Sequence, residues 1–536
     1  MTAGCALQRL LLVVGCCVIF TPGTSDHAIQ GSYDWHAAFL ALLSSAMLHP
    51  PNLSIPDNMQ LVLSAAACLG IIIIARVYLP RSKSRLPLPP SPPKAWGFHG
   101  HVLPLRSEFL TIADWIDEYG PLITIRSRLD NIVIIGRYKV SSSTPSCNLG
   151  STFCCRPAVD IMENQGKALA DRPRMVAAGE IYGGGITITF THFGERFRRM
   201  RRALHTHLQP RAAEAYEPLQ MSHVKNTVLE ILDDPDNFQN HVTRMLVKIM
   251  RPGAYLVDTI PWLKYLPWYG RDLKLGFERT TKHNMRRMNC VKKQMQSNVD
   301  IGPSFTKYML ESSDLLGLTE AEVASLASAF FAGGSSTTAV AICTVLMAAA
   351  CFPEEQAIVQ AELDAVIGRQ RAPTFADQNS LPRLHAFISE AVRWRPIAAN
   401  GLAHRTTTDV IWENYCIPAG TTVLGNHWAI SRDPEVYPEP YAFKPQRWID
   451  DQGHLRDDLK FFHYGFGRRV CPGQHVANSS ALILWAFRLA LDPTKPLDDM
   501  AYMNREMSKR PCSLEFETRI PETELRRMMQ NDPEVV

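Results

Sequence analysis

The sequence predicts a mainly α-helical protein with small β-sheets and an N-terminal transmembrane helix. Residues 59–75 carry no charge, and with the few that follow they reach the roughly 20 residues that a helix needs to span a bilayer. A long apolar segment runs from Thr319 to about Cys351 with the start and stop signals of one helix. Residues 404–440 alternate apolar and polar side chains around Pro-Ala-Gly, which favours short strands and turns.

The composition excludes several classes of protein. Of the 536 residues, 46% are hydrophobic and 20% are charged, which is typical of a globular chain rather than a disordered one. The net charge of +4 is small for this length, and no basic stripe is interleaved with aromatic residues, so we expect no nucleic-acid partner. The 13 cysteines are irregularly spaced without a C-x-x-C pair, which excludes a disulfide framework and a zinc cluster.

The N-terminal region predicts a membrane tether followed by a stiff hinge. Basic residues are frequent in Arg76–Arg85, directly after the apolar run, and such residues favour the cytoplasmic side. The prolines of Leu86–Gly97 cannot continue a helix. A shorter apolar run in the leader indicates either a signal sequence or a second membrane contact. We therefore expect a leader or lumenal segment at 1–58, a single-pass transmembrane anchor at 59–79, a proline-rich hinge at 80–95 and a cytosolic main domain at 96–536.

The long apolar helix has a gap of small residues in its middle. Thr319 and Glu322 have the spacing of a capping box at its start. The stretch "AGGSSTT" places Gly333 and Gly334 side by side, and each costs about 1 kcal/mol in a helix interior. Such a cost indicates a bend, a close helix crossing, or a partner that must approach the backbone.

Charged residues near the C-terminal half predict a buried ion-pair triad. Glu390 and Arg393 are three residues apart and share one helical face. Their apolar neighbours favour burial, and "FKPQRW" offers Arg447 as a third member. A buried carboxylate and guanidinium must have their remaining hydrogen-bonding groups satisfied. Upstream, "FGERFRRMRRALH" carries five arginines on one predicted helix, either as a solvated face or as a docking or anion-binding face.

The stretch "YGFGRRVCPG" predicts a reactive thiolate. Gly465 and Gly467 permit a tight loop before Cys471, while Pro472 and Gly473 follow it. Backbone amides, a following helix N-terminus and a nearby arginine all stabilise a thiolate. A single thiolate without neighbouring ligands suits an axial iron ligand better than zinc, which takes four ligands.

Four separated motifs, in order along the chain, resemble those of the haem-thiolate monooxygenases, the cytochrome P-450 family, and in style its fungal microsomal members. They are the hinge "LPLPPSPP", the helix segment "AGGSSTT", the Glu390–Arg393 pair with Arg447, and the cysteine loop. The resemblance implies the cytochrome P-450 fold around a buried haem. It also implies haem b as cofactor, with its iron bound by the Cys471 thiolate.

The resemblance assigns further roles residue by residue. Three guanidinium groups would bind the haem propionates, those of Arg469, Arg405 and Arg201. Other cofactor contacts would come from Phe197, Tyr464, Gly467 and Gly473. The helix gap would place Gly333 and Gly334 over the iron, with Thr337 and Ser336 serving oxygen activation and proton delivery. The Glu390–Arg393–Arg447 triad would be structural.

Three features depart from the family pattern. Ser336 stands where an acid is usual, and serine cannot act as a carboxylate relay, so we expect less product per NADPH. Phe197 replaces the usual tryptophan and has no donor for a propionate. The stretch 140–157 reads as a polar insert, which a retained intron would explain, and 201–337 is short for this family, which indicates a missing exon near "VKIMRPGAY".

The sequence thus predicts a membrane-anchored monooxygenase of the endoplasmic reticulum. It would insert one oxygen atom into a small hydrophobic secondary metabolite or xenobiotic, aromatic molecules included, with electrons from an NADPH-cytochrome P-450 reductase. Two alternatives remain open: a thiolate-haem enzyme that rearranges peroxides, and a haem-binding protein with little turnover. Candidate pocket positions are Phe330, the loop 183–190 and the segment 396–402.

Overall fold

The computed structural model describes residues 67, 70, 84–93, 100–104, 107–127, 130–138, 156–209, 217–233, 255–297, 304–459, 461–472, 481–500, 503 and 513–530. The chain divides into two compact units, Met1–Ile74 and Ala75–Val536. The predicted leader at 1–58 and nearly all of the anchor at 59–79 lie outside the described residues. So do residues 140–155 of the predicted insert at 140–157, and residues 247–254 of the stretch at which a missing exon is predicted.

Helices dominate the described part of the second unit, as the sequence predicts. Its α-helices are α1 Glu108–Tyr119, α2 Glu195–Leu208, α3 Glu217–Asp233, α4 Leu256–Thr259, α5 Arg271–Gln296, α6 Phe305–Leu316, α7 Glu320–Cys351, α8 Pro353–Val366, α9 Pro382–Trp394, α10 His427–Ile430, α11 Ala481–Ala486 and α12 Glu522–Gln530. Two π-helical turns lie at Ala158–Asn164 and Val176–Tyr182. Short 3-10 helices lie at Pro261–Tyr265, Phe375–Ser380, Pro445–Trp448 and Gly467–Arg469.

Three small sheets complete the described fold. Their strands are β1 Leu122–Ser127, β2 Asp130–Ile135, β3 His404–Arg405, β4 Val410–Trp412, β5 Tyr415–Ile417, β6 Thr422–Gly425, β7 Phe487–Leu491 and β8 Leu514–Thr518. The largest sheet has the order β1-β2-β6-β3, in which β2 and β6 are parallel and the other neighbours are antiparallel. β4 pairs with β5, and β7 with β8. The strands predicted within 404–440 are therefore present.

The proline-rich hinge lies on the sheets instead of standing free. Carbonyl groups of Pro89 and Pro90 accept hydrogen bonds from the Thr124 hydroxyl and amide at 2.9 and 2.6 Å. The Pro87 carbonyl accepts from the Cys416 amide at 2.9 Å. Proline has no amide proton but keeps its carbonyl, so an extended proline segment can pair on one side only.

Helix α7 forms the centre of the described core. The expected capping box is present: the Thr319 hydroxyl accepts from the Glu322 amide, and the Glu322 carboxylate accepts from the Thr319 amide at 2.9 Å. The helix runs unbroken through Gly333 and Gly334 and packs against α5, α6, α8, α9 and β7. Within the described residues α7 alone is long and apolar enough to cross a membrane, yet half of its apolar window is buried inside the fold, as in a core helix.

A wholly buried ion pair joins α9 to the irregular segment that leads toward the cysteine loop. Glu390 and Arg393 are both 0% exposed, with Arg393 Nη2 2.7 Å from Glu390 Oε1 and Arg393 Nε 2.7 Å from Glu390 Oε2. Arg447 Nε lies 3.2 Å from Glu390 Oε1. The remaining Arg393 donors reach the carbonyl groups of Ser431, Pro440 and Ala442. All five of its N–H groups are therefore used.

Candidate active site

The cysteine loop is closed by its own backbone. The Cys471 amide donates to the Tyr464 carbonyl at 2.8 Å, while the Val470 amide donates to the Gly467 carbonyl at 3.1 Å. Gly465 adopts φ +85° and Gly467 φ +51°, in the left-handed region that glycine tolerates. The Cys471 thiol is free and half-buried. Gly473 and the helix start expected after it lie outside the described residues.

The loop is pinned to the first π-helical turn, Ala158–Asn164. The Gly467 amide donates to Glu163 Oε1 at 2.9 Å. A Cβ on Gly467 would lie 2.7 Å from the Met162 carbonyl oxygen, a distance at which something must shift. Close approach of two backbones, together with positive φ, therefore requires glycine at this position.

Tyr464 is close enough to Cys471 to feel its charge. Burial, with the neighbouring Cys471, raises the pKa of Tyr464 to about 12, so its hydroxyl stays neutral. Its ring lies 3.9 Å from that of His463, centroid to centroid. Burial lowers the pKa of His463 to about 4. Both side chains are therefore uncharged at neutral pH.

Arg201 on α2 reaches the cysteine loop directly. Its Nη2 donates to the Val470 carbonyl at 2.6 Å, one residue before Cys471. Burial lowers the pKa of Arg201, and the proximity of Cys471 works in the opposite direction. Two other arginines of this helix have different partners: Arg196 pairs with Glu322 at 2.6 Å, and Arg198 pairs with Glu195 at 2.9 Å. The helix is thus not a uniform solvated basic face.

Arg469 is held between α2 and the residues before it. Its Nε donates to the Ala170 carbonyl at 2.7 Å, and its Nη2 donates to the Thr191 carbonyl at 2.8 Å. Its guanidinium lies 3.6 Å above the ring of Phe197. Burial, reinforced by the neighbouring Arg172, lowers the pKa of Arg469 to about 9.

The two residues of strand β3, His404 and Arg405, have different surroundings. His404 is buried, its Nδ1 is 2.9 Å from the Leu169 carbonyl oxygen, and burial with nearby Arg172 lowers its pKa to about 3. Arg405 points toward the turn at Gly420, where a Cβ would lie 3.5 Å from its Nη2. Because neighbouring residues of a strand face opposite sides, His404 faces the arginines and Arg405 does not. The sequence analysis named Arg405, whose role stays a prediction, and did not name its neighbour His404, which the structure places beside Arg172.

On α7 the glycine gap opens to free space. A Cβ on Gly333 or Gly334 would meet nothing within 4 Å, so no described element packs against them. Phe331 is 58% exposed beside them, whereas Phe330, expected to line a pocket, stacks on Phe305 at 4.6 Å. These glycines therefore do not serve a helix crossing among the described residues.

Two neighbouring hydroxyl residues follow the glycines on α7. The Thr337 side chain is exposed to the same space, and its Oγ1 donates to the Gly333 carbonyl at 2.6 Å. Its oxygen lone pairs thus remain available to accept a hydrogen bond. The side chain of Ser336 lies outside the described part of the structure.

These residues fit a group that carries carboxylates. Arg172, Arg201 and Arg469 have no carboxylate within ion-pair distance among the described residues, and Arg172 Nε is buried without a hydrogen-bond acceptor there. Isolated buried cations are costly unless a counter-charge is supplied. A free thiol in a glycine loop and an open glycine gap complete the set of groups that a thiolate-bound haem requires.

Comparison with known proteins identifies the family. The cytochrome P450 family model matches residues 226–500. Cytochrome P450 monooxygenase 64 of Postia placenta is 41% identical over 475 residues, which cover 82% of this chain and 92% of the relative. The chain belongs to the cytochrome P450 family. A cytochrome P450 monooxygenase of Armillaria gallica is 31% identical over 450 residues, covering 75% of this chain and 83% of that relative.

Membership of the cytochrome P450 family confirms several predictions made from the sequence. This cytochrome P450 is an oxygen-incorporating oxidoreductase of the haem-thiolate type, with haem as its cofactor. The monooxygenase names of its fungal relatives favour this class over a peroxide-rearranging enzyme. The predicted helical fold with small sheets is confirmed as well.

The close contact at Gly467 generates a test with a matched control. We expect Gly467→Ala to lose most of its haem content, because the new methyl group would displace the Met162 backbone and reorient the loop. Gly465→Ala meets only backbone strain, about 1–2 kcal/mol, since nothing lies within 4 Å of its Cβ. Haem per protein, measured by absorbance, checks this. Equal haem content in the two variants would contradict it.

Proposed function

We propose that the Cys471 thiolate would hold the iron of haem b and that the chain is a monooxygenase acting on a small hydrophobic molecule. The observation that carries this is the free thiol of Cys471, held by a glycine loop beside the half-buried guanidinium of Arg201. A guanidinium and backbone amides near a sulfur favour its thiolate. When bound, the haem supplies dioxygen activation and one-electron chemistry.

The remaining residues bind and orient the cofactor. Arg201 and Arg469 offer donors to its propionates while their other N–H groups hold the loop and the Ala170 and Thr191 carbonyls. His404 faces the same cluster and is favoured over Arg405 for this role because of its burial and direction. Phe197 orients Arg469 through its ring face. Tyr464 and Gly467 shape the loop, and Gly473 belongs to the same motif.

The open side of α7 is proposed to hold substrate and to move protons. Gly333 and Gly334 leave room, and the exposed ring of Phe331 offers an apolar surface to a hydrophobic molecule. Thr337 holds its proton on the Gly333 carbonyl and releases it by rotation about χ1. Ser336, one residue earlier, orients a water in place of the usual acid.

We further propose a fungal enzyme of secondary or xenobiotic metabolism, single-pass in the endoplasmic reticulum membrane and reduced by NADPH-cytochrome P-450 reductase. The fungal relatives, the apolar run at 59–79 and the basic residues after it support this.

The Cys471→Ser variant tests the axial ligand. We expect the reduced protein with carbon monoxide to lose the absorbance band typical of thiolate-bound haem, because a serine hydroxyl does not replace a thiolate at neutral pH. Cys290→Ser, an exposed cysteine on α5, is the control and should keep the band. Retention of an unaltered band by Cys471→Ser would refute the assignment.

The Ser336→Asp variant tests the proton path. A carboxylate at this position relays protons better than a hydroxyl, so product formed per NADPH should rise, about twofold or more. Ser335→Asp is the control, since one residue along a helix turns the side chain by roughly 100°. The idea fails if product per NADPH is unchanged in Ser336→Asp, or rises equally in both variants.

Removal of residues 1–79 tests the tether. The shortened chain should leave the membrane fraction for the soluble fraction while keeping its thiolate spectrum, because the haem-site residues lie in the second unit. A chain that stays in the membrane fraction would place the anchor elsewhere.

A further inference from the structure

The carboxylate of Glu163 holds the cysteine loop, residues 464–471, and nothing else in the described part of the chain. Glu163 lies in the first π-helical turn, Ala158–Asn164, and is half-buried. Its Oε1 accepts a hydrogen bond from the Gly467 amide at 2.9 Å, 304 positions further along the sequence. Among the described residues it has no other hydrogen bond and no cation within ion-pair distance. Because desolvation of a carboxylate is costly, its single contact at this amide indicates a role in the loop.

A cation holds the other end of the same loop. Arg201 Nη2 donates to the Val470 carbonyl at 2.6 Å, and the Val470 amide donates to the Gly467 carbonyl at 3.1 Å. The Gly467 amide in turn donates to Glu163. Three hydrogen bonds therefore run in one direction through the loop, from a guanidinium to a carboxylate. Hydrogen bonds that end on an ionised group are stronger than neutral ones, and aligned bonds polarise one another.

The π-helical turn and the loop also touch through their backbones. A Cβ on Gly166, which follows the turn, would lie 3.5 Å from the Gly467 Cα. A Cβ on Gly467 would lie 2.7 Å from the Met162 carbonyl oxygen. Phe466 is buried in the same apolar cluster as Met162. Since packed interiors transmit displacements, the loop must follow any shift of this turn.

The closed shape of the loop couples this contact to Cys471. The Cys471 amide donates to the Tyr464 carbonyl at 2.8 Å, so Gly467 lies inside a hydrogen-bonded ring of the backbone. The amide that Glu163 holds and the thiol therefore belong to one structural unit. A negative charge near a metal centre also opposes the addition of an electron, because like charges repel.

We propose that Glu163 is a positioning residue of the haem-thiolate centre. Its carboxylate fixes the position of Cys471 through the Gly467 amide, opposite the clamp that Arg201 provides, and its negative charge lowers the reduction potential of the iron. This inference rests on the proposed haem site and deepens it. Glu163 touches neither the cofactor nor the substrate in this role and acts through the loop alone.

The test compares Glu163→Ala, Glu163→Gln and a control, Asp160→Asn, in the loaded full-length enzyme. Asp160 lies in the same turn, but its carboxylate accepts from Trp412 Nε1 and from the Arg156 amide instead of from the loop. We expect Glu163→Ala to release haem to excess apomyoglobin about tenfold faster or more, because a hydrogen bond to a charged group is lost.

Glu163→Gln separates the charge of Glu163 from its hydrogen bond. Glutamine keeps an acceptor oxygen for the Gly467 amide, so haem release should stay close to the unsubstituted rate. The reduction potential should rise, because the negative charge is gone. Asp160→Asn removes the same charge from the same turn and should shift the potential less, since its carboxylate is not bonded to the loop.

Two results would overturn the inference. One is haem release from Glu163→Ala at the rate of the unsubstituted enzyme and of Asp160→Asn. The other is a potential in Glu163→Gln that is unchanged or is matched by Asp160→Asn, and this result decides alone if Glu163→Ala does not fold. Absence of a thiolate spectrum in the unsubstituted enzyme would overturn the haem site as well, whereas its presence with unchanged release and potential rejects Glu163 alone.

Discussion

The carboxylate of Glu390 is the group on which the second unit depends. It is fully buried and accepts from Arg393 twice, from the Lys444 amide at 2.7 Å, from Arg447, and from Trp448 Nε1 at 2.9 Å. Burying a carboxylate and a guanidinium costs several kcal/mol each, and only complete hydrogen bonding offsets that. Here every donor of Arg393 is used, so α9 and the 438–448 segment have one mutual arrangement. That segment leads directly toward the cysteine loop.

The neighbouring arginines Arg201 and Arg469 have the opposite electrostatic character. Arg201 and Arg469 are held by backbone carbonyls, which are dipoles and neutralise no charge. Their depressed pKa values express this, because burial disfavours the charged form. Satisfied hydrogen bonds fix the direction of each guanidinium while its charge stays available. The protein thus holds both cations in fixed directions without neutralising them.

Local patterns account for what the sequence could predict. The Thr319 capping box, the Pro353 stop and the alternation within 404–440 are short-range signals, and the structure has the corresponding helix and strands. The three-residue spacing of Glu390 and Arg393 likewise places them on one face. Burial of the pair depends on segments that are distant in sequence, and the only sequence signal for it is the apolar residues next to the pair.

The candidate residues that the sequence analysis did not name are positioned by tertiary contacts. His404 and Arg405 are both basic neighbours in a two-residue strand, and only its pairing with β6 decides which one faces the arginines. Arg172 carries no local signal, since its environment comes from Ala403 and Arg469, more than 200 residues away. The docking of the hinge on Thr124 is equally nonlocal. The adjacent Gly333 and Gly334 predict a gap of small residues on α7, but the sequence does not tell whether another helix packs into that gap.

The phenylalanine at position 197 shows how one departure from the family pattern changes the chemistry of the site. Sequence comparison alone treats Phe197 as a lost donor, because its ring cannot hydrogen-bond a propionate. In the structure the ring is 4% exposed and lies 3.6 Å beneath the Arg469 guanidinium. A desolvated cation over an aromatic face gains about 2 kcal/mol. Phenylalanine therefore has no donor of its own to offer, and its ring instead supports the guanidinium of Arg469, the neighbouring candidate for that role.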